Sequence, residues 1–587
     1  MLWGAVLSKI KNPTQARLNK ETTMKKTRHI LISFLVIGLM VSGVACKNNI
    51  SRYDNEARAA QVDKLFSSWD KPDSPGASLA VIQDGEIIYK QGYGSANLEY
   101  NIPITPSTVF HVASVSKQFT AFAAALLAEQ GKLSLDDDIR RYLSEVPDFG
   151  RTITIRHLIH HISGMRDQWE LLAVAGWRLD DVITREHILK MVRNQKELNF
   201  EPGEQYLYCN TGFTLLAEIV ARVSGKSFRE WTEENIFKPL GMSDTQFYDD
   251  HERIVKNRAY SYVPVKENGF KKRRLNYANV GATSLFTTAE DLAKWVKNLE
   301  DGRVGGKAVI RQIQEQGVLN NGKTISYAFG LVIGEHKGLR TVSHSGGDAG
   351  YRSHVVLFPD QRFAVVVLSN LGSFNTSRMA RQVADIYLSD VIKEEQPPAR
   401  QAEQGKIEPN TALYDIFAGR YYFEPGLIMT FAKENNQLAL QQDGGPKVSL
   451  VPESDTEFSI RERDATLAFQ LNNVGDVTRL VFTQGDNVMT GEKFVQEELD
   501  AQKLKEFAGD YSSDELGTTY TLAVVDGKLV AQHRRHDDIQ LNPTKKDMFL
   551  GEEWFFRQVR FSRDRENRVT GFRLSGGRVR NLRFDKK

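Results

Sequence analysis

Two residues at the start of an apolar segment have the types and spacing that nucleophilic catalysis requires. Ser114 and Lys117 stand three apart in the stretch "FHVASVSKQFTAFAAALLAEQGKL", residues 110–133. A lysine one helical turn away can take the proton of a serine hydroxyl, and a helix N-terminus favours developing negative charge. The same spacing also arises by chance, as Ser8 and Lys11 show. The pair alone therefore leaves catalysis and coincidence both open.

The periodicity of this segment predicts the element that positions the pair. Apolar residues recur at intervals of three and four from Val112 to Leu127, which is typical of a buried helix, and Gly131 marks its end. Side chains three apart lie on one helix face. Ser114 and Lys117 are therefore predicted to point the same way near the helix N-terminus.

Two later motifs supply polar partners for such a pair. Tyr208 and Asn210 stand two apart just before another predicted helix, where an extended loop lets both side chains face one cavity. The sequence "HSGG", residues 344–347, lies at a predicted strand, and its glycines let a ligand approach the backbone closely. Each motif is common alone. Their order and spacing after Ser-x-x-Lys favour a catalytic site.

Length and composition indicate several folded units and exclude some classes of protein. At 587 residues the chain is too long for one core and suggests three or four domains. A net charge of +3 argues against a dedicated nucleic-acid binder. His157, His160 and His161 lack partners at zinc-ligand spacing, so no metal and no cofactor are predicted.

Residues 1–46 are predicted to be an export segment, with Met24 as the predicted start of translation. A basic stretch and an apolar run, residues 30–41, precede Cys46. The run is short for a membrane span, which needs about 20 residues. Cys46 resembles a bacterial lipoprotein processing site, although glycine stands three positions before it where leucine is usual. Lipidation, simple cleavage and a retained anchor remain alternatives, and we expect a cell-envelope location, with membrane contact only through this N-terminal anchor.

The rest of the chain divides into a mixed region and an all-β region. Residues 47–393 have strand-like runs at both ends and helices between, which predicts an α+β domain whose terminal strands share an antiparallel sheet. Residues 394–410 are rich in Pro, Gln and charge, as in a linker. Because this boundary is polar, the first domain is predicted to fold without the remainder.

A weak internal repeat predicts two small β-barrels, at residues 411–498 and 499–587. The motif "FAGRYY" at Phe417 is echoed by "FAGDYS" at Phe507, an offset of 90 residues. The last 31 residues carry nine Arg and two Lys against three acids. A solvated outer face is the usual cause of such an excess, and contact with anionic envelope lipid is the alternative.

These motifs resemble the serine β-lactamase-related family, which groups class C β-lactamases, low-molecular-weight penicillin-binding proteins, D-amino-acid peptidases and esterases. The resemblance runs from about residue 60 to 390, and with two barrels appended it is similar to the D-aminopeptidase type. It implies a β-lactamase/transpeptidase-like fold and a barrel loop that reaches the cleft. Further stretches that carry the resemblance are "HHISGM" (160–165), "FEPGEQYLYCNTGF" (200–213), "PLGMSDTQF" (239–247) and "GATSLFTTAEDLAKW" (281–295).

The resemblance implies a role for each motif residue. Ser114 would be the nucleophile that forms a covalent acyl-enzyme. Lys117 and Tyr208 would share the role of base, and which of them takes the proton stays open. Asn210 would hold Lys117 and the substrate amide. The N–H groups of Ser114 and Gly347 would stabilise the oxyanion.

The third motif departs from the best-known members of the family. His344-Ser345-Gly346 stands where many members have Lys-Thr-Gly. A lysine there is a permanent charge, whereas histidine titrates near pH 6.5. If His344 binds the substrate through charge, an acidic substrate should be favoured below that pH; otherwise His344 is a neutral hydrogen-bonding or packing residue. The change weakens the case for an efficient β-lactamase. Cys209 replaces a serine common at its position and is expected only to pack.

The sequence therefore predicts an exported serine hydrolase that cleaves an amide or ester of a small molecule or peptide through Ser114. A D-amino-acid peptidase or amidase ranks first, an esterase second, and a β-lactamase or penicillin-binding protein third. A non-catalytic protein that binds peptide or glycan is the competing class. The sequence leaves the substrate open, because specificity lies in loops. It also leaves the oligomeric state open.

Overall fold

The computed structural model describes residues 55–266, 269–392, 410–442, 445–460, 465–484 and 487–587. The predicted export segment with Cys46 and nearly all of the predicted linker lie outside these ranges, so those predictions stand untested. None of the helices in the described ranges has the length and hydropathy of a membrane-spanning segment. The described residues fall into two compact units, with the boundary between Phe66 and Ser67. A helix over residues 55–66 belongs to the first, and all that follows concerns the second.

The centre of the catalytic domain is a six-stranded antiparallel sheet. Its first strand, Ala77–Gln83, pairs with its last, Phe363–Ser369, with Ala77 opposite Ser369, as the sequence predicted. Both strands are buried almost throughout because helices cover the sheet. The strand order is Val332–His336, Leu339–Asp348, Tyr351–Phe358, Phe363–Ser369, Ala77–Gln83 and Glu86–Tyr93.

Helices and short strands form the rest of this domain. The α-helices are Ser116–Glu129, Ile155–Ile159, Gln168–Val174, Arg185–Asn194, Asn210–Ser224, Phe228–Thr232, Lys238–Leu240, Ala289–Asp301, Gly306–Gln312 and Thr376–Tyr387. The 3₁₀ turns are Ala113–Val115, Ile139–Arg141 and Pro359–Gln361, and Glu233–Phe237 is a π-helical turn. The short strands are Ser95–Asn97, Ile102–Pro103, Phe110–His111, Ile183–Thr184, Gln246–Phe247, Ser261–Val265, Gly269–Arg273, Tyr277–Ala278 and Leu285–Thr287.

The helix that follows the Ser/Lys pair lies in the middle of the core. All its residues from Ser116 to Leu127 are buried, because apart from Lys117 and Gln118 they are apolar or small on every face. The predicted helix began earlier, at Val112, but the α-helix starts at Ser116 and Ala113–Val115 form a 3₁₀ turn. Residues i and i+3 eclipse in such a turn, so the serine and the lysine still share one face.

The first C-terminal unit is a nine-stranded antiparallel sheet that curls into a barrel. Its two edge strands are separated by the single residue Leu450, and its interior holds stacked and edge-on aromatic rings such as Phe417 and Phe469. A short helix, Leu413–Phe417, precedes it. The strands are Gly419–Phe423, Leu427–Glu434, Gln437–Gln442, Lys447–Ser449, Val451–Pro452, Glu457–Ile460, Ala465–Leu471, Val477–Gln484 and Asn487–Phe494.

The second C-terminal unit is a closed eight-stranded barrel and repeats the local design of the first. In each, a tyrosine in the opening strand donates its hydroxyl to a phenylalanine carbonyl four residues earlier, at 2.9 Å in the first barrel and 2.8 Å in the second. These residues lie in the two "FAG" motifs, so the 90-residue repeat is confirmed. The strands are Gly509–Ser513, Thr518–Val525, Lys528–Gln532, Ile539–Lys545, Met548–Gly551, Gln558–Arg563, Val569–Ser575 and Leu582–Lys586.

The second barrel packs directly on the catalytic domain. One contiguous cluster of buried apolar residues runs through both, whereas the first barrel has a core of its own. A buried ion pair, Arg166 with Glu515, joins the same two units. Removing the second barrel would expose this surface, so the prediction of an independently folding first domain overlooked an interface that no local sequence pattern reveals.

Candidate active site

An unusual backbone turn presents Ser114 to the cleft. Ala113, the residue before it, has φ 48°, in the left-handed region that a residue with a Cβ rarely adopts. Its N–H donates to His111 Nδ1 at 3.2 Å. On the opposite strand a Cβ on Gly346 would lie 2.3 Å from the carbonyl of Val112, so only glycine lets this strand pass so close to the serine.

Lys117 is fully buried and its ammonium nitrogen has three neighbours. Nζ lies 2.9 Å from Asn210 Oδ1, 2.7 Å from the carbonyl oxygen of Ala282 and 3.1 Å from Ser114 Oγ. Burial lowers the pKa of Lys117 to about 7, although the negative charge of Asp348 acts in the opposite direction. A neutral amine has two hydrogens for the two oxygen acceptors and one lone pair for the serine hydroxyl.

Asn210 is oriented by a residue that the sequence analysis did not identify. Its Nδ2 and its backbone N–H both donate to Asp167 Oδ2, at 2.8 and 2.7 Å. Because the amide nitrogen is held there, Oδ1 faces Lys117. Asp167 also caps the helix Gln168–Val174 by accepting from the N–H of Trp169. An aspartate before a helical stretch signals a cap, but nothing in the sequence links it to Asn210.

Tyr208 remains a neutral phenol in this environment. Burial holds its pKa well above its usual range, and a hydrogen-bonding interaction with Ser114 only partly offsets this. Its ring lies 4.9 Å from Lys117 Nζ and packs on His161 with 4.1 Å between ring centroids. Tyr208 therefore has a proton to donate, while Lys117 has a pKa suited to accepting one near neutrality.

His344 has the neutral one of the two roles that the sequence left open. It is buried, its Nδ1–H donates to the carbonyl of Ser345 at 2.6 Å, and its Nε2 accepts from the hydroxyl of Tyr327 at 3.0 Å. Burial lowers the pKa of His344 to about 3. The alternative in which it becomes charged near pH 6.5 and binds an acidic substrate is therefore wrong, because burial favours the neutral imidazole, and His344 is a neutral hydrogen-bonding residue. Tyr327 was not identified from the sequence.

The remaining predicted positions lie around the same group. Gly347 lines the cleft beside Ser114, one residue after Gly346. Cys209 is buried, its Sγ–H donates to the carbonyl of Met165 at 3.3 Å, and burial raises the pKa of its thiol to about 12. It packs, as expected. The structure thus brings Ser114, Lys117, Tyr208, Asn210, His344, Gly346 and Gly347 together, while their catalytic roles stay predictions.

The cleft over Ser114 is a cavity of about 600 Å³ with largely aromatic walls. Asp348 contributes a carboxyl group to the described lining of the cleft. Burial raises the pKa of this carboxyl to about 6, although the hydroxyl of Thr283 donates a hydrogen bond to it. Trp554 and Arg578 reach the cleft from the second barrel, as the family resemblance implied. The apolar walls include Trp169, Leu179, Tyr206, Tyr277, Val332 and Trp554.

Comparison with known proteins agrees with this geometry. A family model described as Beta-lactamase matches residues 62–388. Penicillin-binding protein 4* of Bacillus subtilis (strain 168) is 30% identical over 440 residues, which are 72% of this chain and 96% of that protein. A D-aminopeptidase of Brucella anthropi is 24% identical over 549 residues, 91% of this chain and 99% of the relative.

A solved structure shows the same fold. The octameric penicillin-binding protein homologue from Pyrococcus abyssi superposes with a TM-score of 0.53 at 24% identity, and covers 73% of this chain and 99% of its own. The family match spans more than half of the 587 residues and contains the seven predicted site residues from Ser114 to Gly347. The chain therefore belongs to the Beta-lactamase family and is a serine hydrolase of that family.

Proposed function

We propose that this serine hydrolase cleaves amide bonds as a D-amino-acid peptidase or amidase, through an acyl-enzyme on Ser114. The observation that carries the proposal is the environment of Lys117. A buried amine with a pKa of about 7, two fixed acceptors and a serine hydroxyl at 3.1 Å is equipped to take a proton at neutral pH.

In this mechanism neutral Lys117 accepts the proton of Ser114 while Oγ attacks the substrate carbonyl carbon. The N–H groups of Ser114 and Gly347 receive the oxyanion. The amine leaves when the C–N bond breaks, taking a proton from the Tyr208 hydroxyl, and Lys117 returns its proton to Tyr208. Water then attacks the ester on Ser114, with Lys117 again as base. The bond to Oγ breaks, Lys117 returns its proton to Ser114 Oγ, and the acid product leaves.

The substrate class is supported by the relatives and by the cleft. The D-aminopeptidase relative aligns over 549 residues, far beyond residues 62–388, so the likeness includes the barrels. Aromatic walls, among them Trp169, Tyr206 and Trp554, suit a hydrophobic amino-acid side chain next to the scissile bond. The apolar walls contribute affinity in proportion to the apolar area that the substrate buries against them.

A penicillin-binding protein is the second candidate, favoured by the 30% identity to a protein of that name. It would form a long-lived acyl-enzyme with penicillin. Neutral His344, at the position where many relatives carry lysine, supplies no fixed charge for the penicillin carboxylate. We also propose export to the cell envelope, on the pattern of residues 24–46.

A matched substrate panel tests the proposal. The D- and L-phenylalanine p-nitroanilides, the matched p-nitrophenyl esters and nitrocefin are assayed with wild type, with Ser114→Ala as the blank. We expect kcat/KM for the D-anilide to exceed that for the L-anilide by at least ~10-fold, equivalent to about 1.4 kcal/mol of transition-state discrimination. Ester hydrolysis with no anilide hydrolysis would identify an esterase, and faster nitrocefin turnover would identify a β-lactamase.

A further inference from the structure

The arginine-rich end of the chain is mostly paired within the protein. Of the nine arginines in the last 31 residues, seven donate hydrogen bonds to carboxylates, amides or carbonyls of the protein itself. The basic composition of this segment therefore belongs to a barrel surface whose arginines are largely paired. The seven are Arg557, Arg560, Arg563, Arg568, Arg573, Arg580 and Arg583. Within the described ranges, no acceptor pairs with the guanidinium groups of Arg565 and Arg578. Arg565 lies in an exposed turn, whereas Arg578 lines the catalytic cleft.

The backbone of Arg578 is nevertheless held firmly on the catalytic domain. Its N–H donates to Glu170 Oε2 at 2.7 Å, and its carbonyl accepts from Asn199 Nδ2 at 2.9 Å. A Cβ on Gly576, two residues earlier, would lie 1.6 Å from Glu170 Oε1, so a side chain there would displace the carboxyl group that holds Arg578. The following residue, Val579, is buried. The fold therefore fixes where this side chain starts and directs it into the cleft.

The guanidinium lies over the Tyr208 ring, 4.9 Å from its centroid. Stacking of this kind orients the planar group and leaves its five N–H donors free for a ligand. Among the described residues that line the cleft, Arg578 is the one with a permanent positive charge. Lys117 is engaged below the cleft surface with Ser114, Asn210 and Ala282. The acid of the cleft, Asp348, accepts the Thr283 hydroxyl and does not pair with Arg578.

We propose that Arg578, delivered by the second barrel, binds a carboxylate of the substrate and gives this hydrolase a preference for acidic peptides. A stacked, unpaired guanidinium matches a carboxylate with two parallel hydrogen bonds. The inference rests on the proposed amide hydrolysis and adds its substrate class. The carboxylate can lie on the leaving group, as a free peptide C-terminus, or on the acyl side, as an acidic side chain or cap.

Two matched substrate pairs separate these positions. The first compares a D-phenylalanyl dipeptide carrying a free C-terminal carboxylate with the same dipeptide amide. The second compares N-succinyl- with N-acetyl-D-phenylalanine p-nitroanilide. Each pair is assayed with wild type, Arg578→Gln, Arg578→Lys and the control Arg565→Gln, which changes the other unpaired arginine of the last 31 residues. The measured quantity is the ratio of kcat/KM for the acid to that for its neutral partner, which cancels any general loss of activity.

We expect Arg578→Gln to lower this ratio in one pair by about 10- to 100-fold, the range for one charge-assisted hydrogen bond. Arg578→Lys should restore part of the ratio, and Arg565→Gln should leave it unchanged. High salt should reduce the wild-type ratio, because the arginine is exposed. A ratio that is the same in wild type and Arg578→Gln for both pairs would overturn the proposal. If wild type cleaves no substrate of either pair, the proposed amide hydrolysis fails instead.

Discussion

The ion pair between Arg166 and Glu515 gives the most quantitative test of how the second barrel is held. The Arg166 side chain is fully buried, and its Nη1 donates to both oxygens of Glu515 at 2.7 and 2.9 Å. Its Nε and Nη2 donate to the carbonyl of Arg580 in the loop that carries Arg578. Glu515→Ala would leave a guanidinium inside the protein without its main counter-charge.

The expected cost follows from this burial. Removing one partner of a buried pair costs about 3–5 kcal/mol, because the other charge stays desolvated. The double variant Arg166→Met/Glu515→Leu removes both charges and should recover most of that stability. The recovery should be incomplete, because the carbonyl of Arg580 loses its hydrogen bonds from Arg166. The exposed pair of Arg560 with Glu424 is the control, and Glu424→Ala should cost less than about 1 kcal/mol.

Urea unfolding followed by tryptophan fluorescence measures these differences, because Trp169 and Trp554 lie on opposite sides of the interface. We expect Glu515→Ala to lower the midpoint of the earliest transition clearly and the double variant to lower it much less. If Glu515→Ala costs no more than Glu424→Ala, the buried pair does not hold the barrel in place, and the reasoning from burial is refuted.

Three further predictions concern protonation and the cleft. Because Lys117 must be neutral to act as base and burial sets its pKa to about 7, kcat/KM for a neutral amide should rise with pH through about 7, and Lys117→Met should lower it at least ~10³-fold. Burial raises the pKa of Glu170 from 4.5 to about 8. The folded state therefore holds a proton that the unfolded state loses, and stability should fall between about pH 4.5 and 8. In Glu170→Gln this fall of Tm between about pH 4.5 and 8 should be absent. Tyr327→Phe removes the hydroxyl that His344 Nε2 accepts, and should lower kcat by about 10-fold with little change in Tm.

Sequence patterns were sufficient to predict most of the fold. Apolar periodicity located the central helix that follows Ser114, and the strand-like runs at both ends of the domain identified the first and last strands of the sheet as partners. The start of the helix was placed too early, since the α-helix begins at Ser116 and not at Val112. A 3₁₀ turn also repeats about every three residues, so apolar spacing does not distinguish it from the first turn of an α-helix.

The parts of the site that were missed depend on distant packing. Asp167, Tyr327 and Arg578 are tied to the site by contacts that span 43, 17 and 408 positions of the chain. No local pattern marks such residues as site residues. The role of His344 stayed open for the same reason, because its pKa depends on burial that a single sequence does not reveal.

The central claim, an acyl-enzyme on Ser114 formed with Lys117 as base, is tested most directly by mass spectrometry of the trapped adduct. The protein is mixed with a fluorophosphonate over a range of pH, quenched, digested and mapped. We predict one adduct per chain, on Ser114, with a labelling rate that rises through pH about 7 and no adduct in Ser114→Ala. An adduct on another residue, or turnover by Ser114→Ala above ~1% of wild type, would contradict the claim.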